Sequence, residues 1–190
     1  LKTIKQKTPE ILKQKAQTLF DIIGSRVTVM PPDARHVDYN IIPINISNGC
    51  LYKCRFCKVK NKKKFSLRSE LDIDTQIDKL KRLLNKDIIN YNAILLGEHD
   101  ALNAPGILIL DTIKKANDIF RFDAAYMKDK YLFLFGSVDS LLTKDKSFFE
   151  ELNRLPFKIF INIGLESYDQ STLDLLGKPL TQKKVGNAFK

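Results

Sequence analysis

From Thr8 onward, Ile11, Leu12, Ala16, Leu19, Phe20 and Ile23 recur at three- and four-residue steps. That period marks one apolar face of a helix, and the face is expected to be buried. Thr8 suits the N-cap, Pro9 the first helical position, and Gly24 the residue past the end. From Arg26 to Tyr39 the pattern is irregular, and Pro31-Pro32 blocks a helix.

At Ile41 the period changes. Ile41-Ile42-Pro43-Ile44-Asn45-Ile46 reads as a strand, with Pro43 the one residue against it. Leu71, Ile73, Ile77, Leu80 and Leu84 then predict a helix over 71–84. The same alternation follows three more times. Strands are predicted at Asn92–Leu96, Tyr131–Phe135 and Lys158–Ile163. Helices are predicted at Ile107–Phe120, Lys146–Leu155 and Ser171–Leu176, the last capped by Asp169 or Ser171. The strands are short and nearly all apolar, as strands covered on both faces are. Alternating strands and helices imply parallel pairing through crossover connections. The fold class is therefore α/β. A parallel sheet is expected after an N-terminal helix, curved as part of a TIM-like (β/α) barrel or doubly wound. Residues 1–40 form a helix and irregular arm on this reading, and 41–190 the core.

Each predicted strand ends in glycine or a polar residue: Asn48-Gly49, Gly97-Glu98, Gly136-Ser137 and Gly164-Leu165-Glu166-Ser167. In parallel α/β folds the carboxyl ends of strands carry the chemistry. Glu98, His99, Asp100, Ser137, Asp139, Glu166 and Ser167 thus gather on one rim.

Composition narrows the class. Of 190 residues, 44% are hydrophobic and 28% charged, with 8 Gly and 7 Pro, which excludes collagen-like and disordered chains. No run of about 18 apolar residues occurs, so no transmembrane helix is expected, and no secretory signal is seen. The first residue is Leu1 rather than Met, so the chain reads as a fragment. The net charge of +10 comes mostly from lysine. A basic surface attracts nucleic acid, anionic membranes or acidic substrates, although solvated lysine serves solubility equally well. The run from Lys58 to Lys64 concentrates that charge directly after the last cysteine. It reads as a solvated loop, with an anionic substrate such as RNA as the functional alternative.

The three cysteines, Cys50, Cys54 and Cys57, lie within eight residues. Three thiols cannot close a disulfide set, and this spacing points to metal or cluster ligation in a reducing compartment. Thiolates on one short loop suit an iron–sulfur cluster. Three ligands leave one iron of a 4Fe–4S cluster open. A structural zinc site wants four closed ligands. His36 or His99 is the available fourth, at unpersuasive spacing.

The segment Cys50-Leu51-Tyr52-Lys53-Cys54-Arg55-Phe56-Cys57 resembles the cluster loop of the radical S-adenosylmethionine (SAM) superfamily. The three-then-two spacing, the aromatic residue before the last cysteine and the position after the first core strand all match. Gly97-Glu98 is similar to the superfamily's Gly-Gly-Glu element, with Leu96 and His99 as departures. Gly164-Leu165-Glu166-Ser167 resembles ribose-contacting segments of several subfamilies, and Leu173-x2-Leu176-Gly177-Lys178 resembles their continuation. The resemblance spans about Ile41 to Lys178.

It implies a (β/α)6 partial barrel, of which four strand–helix units are visible. The shortfall points to a truncated core, or to one completed by another chain. It further implies a 4Fe–4S cluster on Cys50, Cys54 and Cys57, and SAM on the fourth iron. Glu98 would accept a hydrogen bond from the SAM amino group, and Gly97 would lie beside it. The backbone and ring at Phe56 would meet adenine. Glu166 or Ser167 would face the ribose. His99, Asp100, Ser137 and Asp139 are the substrate-side candidates, with Asp139 alternatively capping the next turn. The implied activity is reductive SAM cleavage and hydrogen abstraction from an unidentified substrate. The implied partner is an electron donor such as flavodoxin or ferredoxin, and the implied setting is a cytoplasmic, oxygen-sensitive one. Two other classes fit the cysteines. One is a non-catalytic zinc-binding module whose lysine loop grips nucleic acid, and the other is a simple electron carrier.

Overall fold

The computed structural model describes residues 8–25, 40–57, 64–97 and 99–189. His36, the arm 26–39, the lysine-rich stretch 58–63 and Glu98 lie outside the described residues. Helix α1 (Pro9–Ile23) leads into strand β1 (Ile41–Ile44), then a two-residue pair, β2 (Ser47–Asn48) and β3 (Ser66–Leu67). Helix α2 (Glu70–Leu84), strand β4 (Ala93–Leu96), helix α3 (Gly106–Phe120) and strand β5 (Tyr131–Gly136) follow. Helices α4 (Val138–Leu142) and α5 (Lys146–Asn153) precede strand β6 (Lys158–Ile163), and helices α6 (Gln170–Leu176) and α7 (Gln182–Ala188) close the order.

The main sheet has strand order β1-β4-β5-β6, and every pairing is parallel. Spatial order equals chain order, with no reversal of winding. A doubly wound sheet reverses at a switch point, so the arrangement is that of a partial barrel. The register places Ile44 beside Leu96, Leu96 beside Leu134, and Gly136 beside Ile163, so the carboxyl ends lie together.

Side chains alternate across the sheet. Ile42, Ile44, Ile94, Leu96, Leu132 and Leu134 join Ile73, Ile77, Leu80, Ile109, Ile113 and Leu152 in the main core, so α2, α3 and α5 cover that face. Ala93, Leu95, Tyr131 and Phe133 form a second cluster on the opposite face, with Phe160 packed against it. Phe133 and Phe160 stack there with centroids 5.2 Å apart.

Strand β1 is shorter than its apolar run because Asn45 leaves the ladder. Its amide N–H donates to Gln76 Oε1 at 2.8 Å, and Gln76 Nε2 donates to the Asn45 carbonyl at 2.9 Å. Asn45 Nδ2 also donates to the Ile23 carbonyl, tying the end of α1 to the end of β1. Pro43 is tolerated because, among the described residues, β1 lies at the end of the sheet and pairs on one side only.

Two expectations need correction. The apolar face of α1 is buried only at its last turns. Leu19, Ile22 and Ile23 pack on the core, but Ile11, Leu12, Ala16 and Phe20 are exposed. Leu71 is 75% exposed, because it sits in the first turn of α2 on the side away from the sheet. Helices α4 and α7 were not predicted. Ser137 begins α4 with a capping box shared with Ser140. Thr181 caps α7, whose lone buried residue is Val185, too weak an apolar signal to read.

The periodicity and the packing disagree at Leu71, which gives a direct test. Ile77→Ala should cost about 2–5 kcal/mol of stability as a fully buried position. Leu71→Ala should stay within about 0.5 kcal/mol. Urea unfolding under reducing conditions measures both, and a large cost at Leu71 would restore the sequence expectation.

Candidate functional site

The cysteine loop starts where β2 ends and is closed at its base by β3. Ser47 pairs with Leu67, Asn48 with Ser66, and Cys50 bridges to Lys64. Arg68 strengthens this base, donating to Asn48 Oδ1 at 3.0 Å and to the Ile23 carbonyl at 2.6 Å. Gly49 turns the chain into the loop at φ 72°, a conformation open to glycine at little cost.

None of the three cysteines is in a disulfide. Cys54 is buried with Tyr52, Val138, Leu173, Leu180 and Val185, and Cys50 and Cys57 pack against that same cluster. Burial pushes the Cys50 thiol up; the Tyr52 amide, which donates to Cys50 Sγ at 3.4 Å, opposes this, and Asp100 and the other thiols add to it. An electron-poor metal centre reverses that penalty by binding the thiolate. Among the described residues no three His, Cys, Asp or Glu side chains converge to hold a single metal ion. A 4Fe–4S cluster makes a different demand, one thiolate for each of three irons. Three thiols on one loop, none of them in a disulfide, meet its donor chemistry.

The loop is held from the far side by elements late in the chain. Tyr52 Oη donates to Asp139 Oδ2 at 2.7 Å and accepts from the Asp139 amide at 3.3 Å. Lys184 Nζ pairs with Asp139 Oδ1 at 2.7 Å, so Tyr52, α4 and α7 form one strut. Burial by itself raises the Asp139 carboxyl, but hydrogen bonds from Lys184 and Tyr52 outweigh it and hold the carboxyl below its ordinary range. The Arg55 amide donates to the Leu176 carbonyl at 2.9 Å, docking the loop on the end of α6. Gly177 is required there: its φ is 65°, and a Cβ would lie 3.0 Å from Arg55 Cγ.

Asp139 therefore does not cap α4; Ser137 does, and Asp139 holds the loop. Asp100 and Ser137 also meet each other. Asp100 is 1% exposed; Oδ1 accepts from the Ser137 amide at 3.0 Å and Oδ2 from Ser137 Oγ at 3.1 Å. Burial raises the Asp100 carboxyl against the hydrogen bonds from Ser140 and Ser137. Both groups are spent on joining the β4 and β5 rims. His99 is partly buried beside them.

Gly97 donates its amide to the Ile44 carbonyl at 2.8 Å, fixing the β4 exit beside the end of β1. Its φ is 78°, and a Cβ would come within 2.3 Å of Ala101 Cβ. Phe56 is 46% exposed near the last cysteine. Ser167 Oγ accepts from the Asp169 amide at 3.1 Å, and Asp169 caps α6 while also accepting from Ser171. Glu166 has φ 62°, a left-handed conformation that costs a non-glycine residue on the order of 1 kcal/mol. Its carboxylate pairs with Lys178.

Sequence reasoning missed Tyr52, Lys178, Lys184 and Asn162. Tyr52 carries a faint signal as an aromatic residue inside the loop, whereas Lys184 carries none. Asn162 alternates onto the same side of β6 as Phe160, near the strand's carboxyl end, and its Nδ2 is buried without a hydrogen-bond partner. An unfilled donor facing the sheet interior suits a polar ligand.

This geometry sets a thiol loop at the carboxyl rim of a singly wound parallel sheet. The family model for the radical SAM superfamily matches residues 44–190, and the chain belongs to that superfamily. No curated protein and no solved structure matches the chain. The superfamily is built on a 4Fe–4S cluster and SAM, its members are generally enzymes, and they generally need an electron donor. Among the described residues no helix is long and apolar enough to cross a membrane.

Asp139 ties stability to pH with a definite sign. A carboxyl held below its unfolded value contributes stability above about pH 4 and loses it as pH falls through the folded value. Asp139→Asn should lower stability at neutral pH and flatten the acid side of the stability profile. Tyr52→Phe should cost about 1.5 kcal/mol or more, as a lost hydrogen bond to a carboxylate. Denaturant midpoints between pH 3 and pH 7 check both. An unchanged acid limb in Asp139→Asn would remove the strut from the account.

Proposed function

We propose that this chain binds a 4Fe–4S cluster through Cys50, Cys54 and Cys57 and supports reductive cleavage of SAM. The single observation that carries this reading is the disulfide-free three-cysteine loop at the carboxyl rim of the parallel sheet. Held by the Cys50, Cys54 and Cys57 thiols, the cluster would supply the one electron needed for reductive cleavage of SAM.

The chain's own residues do the positioning. The Tyr52–Asp139–Lys184 strut and the Arg55 contact to α6 hold the thiols in place, which supports their action as a unit. Glu98 receives the SAM amino group on this reading, from its sequence position after Gly97 at the carboxyl end of β4. The exposed Phe56 ring provides the adenine surface. Ser167 and Asn162 are the ribose-side groups, and Glu166 reaches the ribose only if it exchanges its Lys178 partner. His99, next to the Asp100 that is tied to Ser137, is the substrate-side candidate. The substrate is unassigned. The setting is a reducing, cytoplasmic one with a one-electron donor of the flavodoxin or ferredoxin type. A zinc-binding module draws no support from the family match.

The test is anaerobic reconstitution with iron and sulfide, addition of dithionite and SAM, and chromatography for 5′-deoxyadenosine. The parent protein should form it. The Cys50→Ala, Cys54→Ala, Cys57→Ala triple variant should lose both the iron and the product. Retention of either would count decisively against the assignment. Zinc uptake without iron would point to the binding module.

A further inference from the structure

Lys178 is the one buried cation beside the cysteine loop among the described residues, with its side chain only 4% exposed. The end of α6 puts it there. The Lys178 amide donates to the Leu173 carbonyl and the Gly177 amide to the Asp174 carbonyl, the two bonds of a Schellman motif. That motif folds the chain back over the helix end. The ammonium then meets three groups. It donates to the Gly164 carbonyl, pairs with Glu166, and lies 5.8 Å from the centroid of the Tyr52 ring. Tyr52 stands between Cys50 and Cys54 in sequence and is buried with Cys54.

The pair is asymmetric. The Glu166 side chain is 33% exposed, whereas that of Lys178 is 4% exposed. Water screens the carboxylate more than the ammonium. The ammonium's charge is therefore only partly compensated by the carboxylate. Burial pulls the Lys178 ammonium down, and the charges that Cys54, Cys50 and Cys57 carry as thiolates oppose this.

We propose that Lys178 is a positioning residue for electron transfer, whose buried charge raises the reduction potential of the cluster held by the cysteine loop. This rests on the cluster assignment to Cys50, Cys54 and Cys57. Reduction adds one negative charge to the centre, and a nearby fixed cation stabilises the reduced form. Cluster potentials respond to net charge and burial in this way. Glu166 acts in the opposite sense, as the partly screened counter-charge.

The test is an EPR-monitored redox titration of the full 190-residue chain, reconstituted anaerobically and without SAM. Lys178→Met should lower the midpoint, making reduction at least tenfold less favourable, or about 59 mV for one electron. Lys178→Arg should stay with the parent. Glu166→Gln should move the midpoint upward. Opposite signs are the signature, since mere loosening of the loop gives no reason for the two variants to diverge. A fully loaded Lys178→Met cluster with the parent's midpoint overturns the proposal, as does a shift of both variants in one direction. Should Lys178→Met fail to load, Glu166→Gln decides alone: a rise supports the role, and no change or a fall removes it. If the parent itself takes up no cluster, the cysteine assignment falls and the lysine role with it.

Discussion

Parallel pairing wound in one direction is the constraint on which the rest of this protein depends. Because β1, β4, β5 and β6 are neighbours in chain order, each crossover returns to the next position along the sheet. Every strand then delivers its carboxyl end to one rim. Gly97, Ser137 and Gly164 come into range of the cysteine loop for that reason, although they are far apart in the chain. The helices α2, α3 and α5 seal one face, and the aromatic cluster of Tyr131, Phe133 and Phe160 lies on the other. The chemistry of the rim is thus displayed on a sheet whose own positions are set by buried apolar side chains.

The cysteine loop itself has little capacity to fold. Its described residues between β2 and β3 lie in no helix, and they are positioned by groups that arrive later in the chain. Tyr52 reaches Asp139, Asp139 reaches Lys184, and Arg55 reaches the end of α6. The first two contacts close 87 and 45 residues of chain, and the Arg55–Leu176 bond closes more than a hundred. Long-range closure of this kind costs chain entropy that the buried cluster around Cys54, Val138, Leu173, Leu180 and Val185 must offset. It follows that the cysteine loop and the segment from Gly164 to Ala188 are one structural unit, separated only in sequence.

Charge is distributed on the same logic. The excess of lysine over acid is largely a surface property, but Lys178 is carried inward by a helix C-terminus and held by the Gly164 carbonyl and Glu166. A buried ammonium without partners is costly, so its three contacts mark a site where the fold retains charge for a purpose. The left-handed Glu166 beside it is a second departure from local preference in the same place. Strained backbone and buried charge tend to coincide where a protein works.

Much of the fold was legible in the sequence, because hydrophobic period is a local property. The four short apolar runs became the four parallel strands. The helices over α2, α3, α5 and α6 were readable within a residue or two, except that α5 ends at Asn153 rather than Leu155. The cysteine spacing pointed to cluster chemistry because it too is local. Where periodicity misled, at Ile11, Leu12 and Leu71, the apolar residue was present but no neighbouring element arrived to bury it. Burial needs a partner, and partners are chosen by topology. The same holds for the site: the Asp100–Ser137 pair, the Tyr52–Asp139–Lys184 strut and the inward turn of Lys178 join residues whose separation along the chain hides their proximity. Local spacing and period determined the elements and the thiol loop, and the tertiary structure alone decided which charges and hydroxyls face it, because only packing brings distant side chains within hydrogen-bond range.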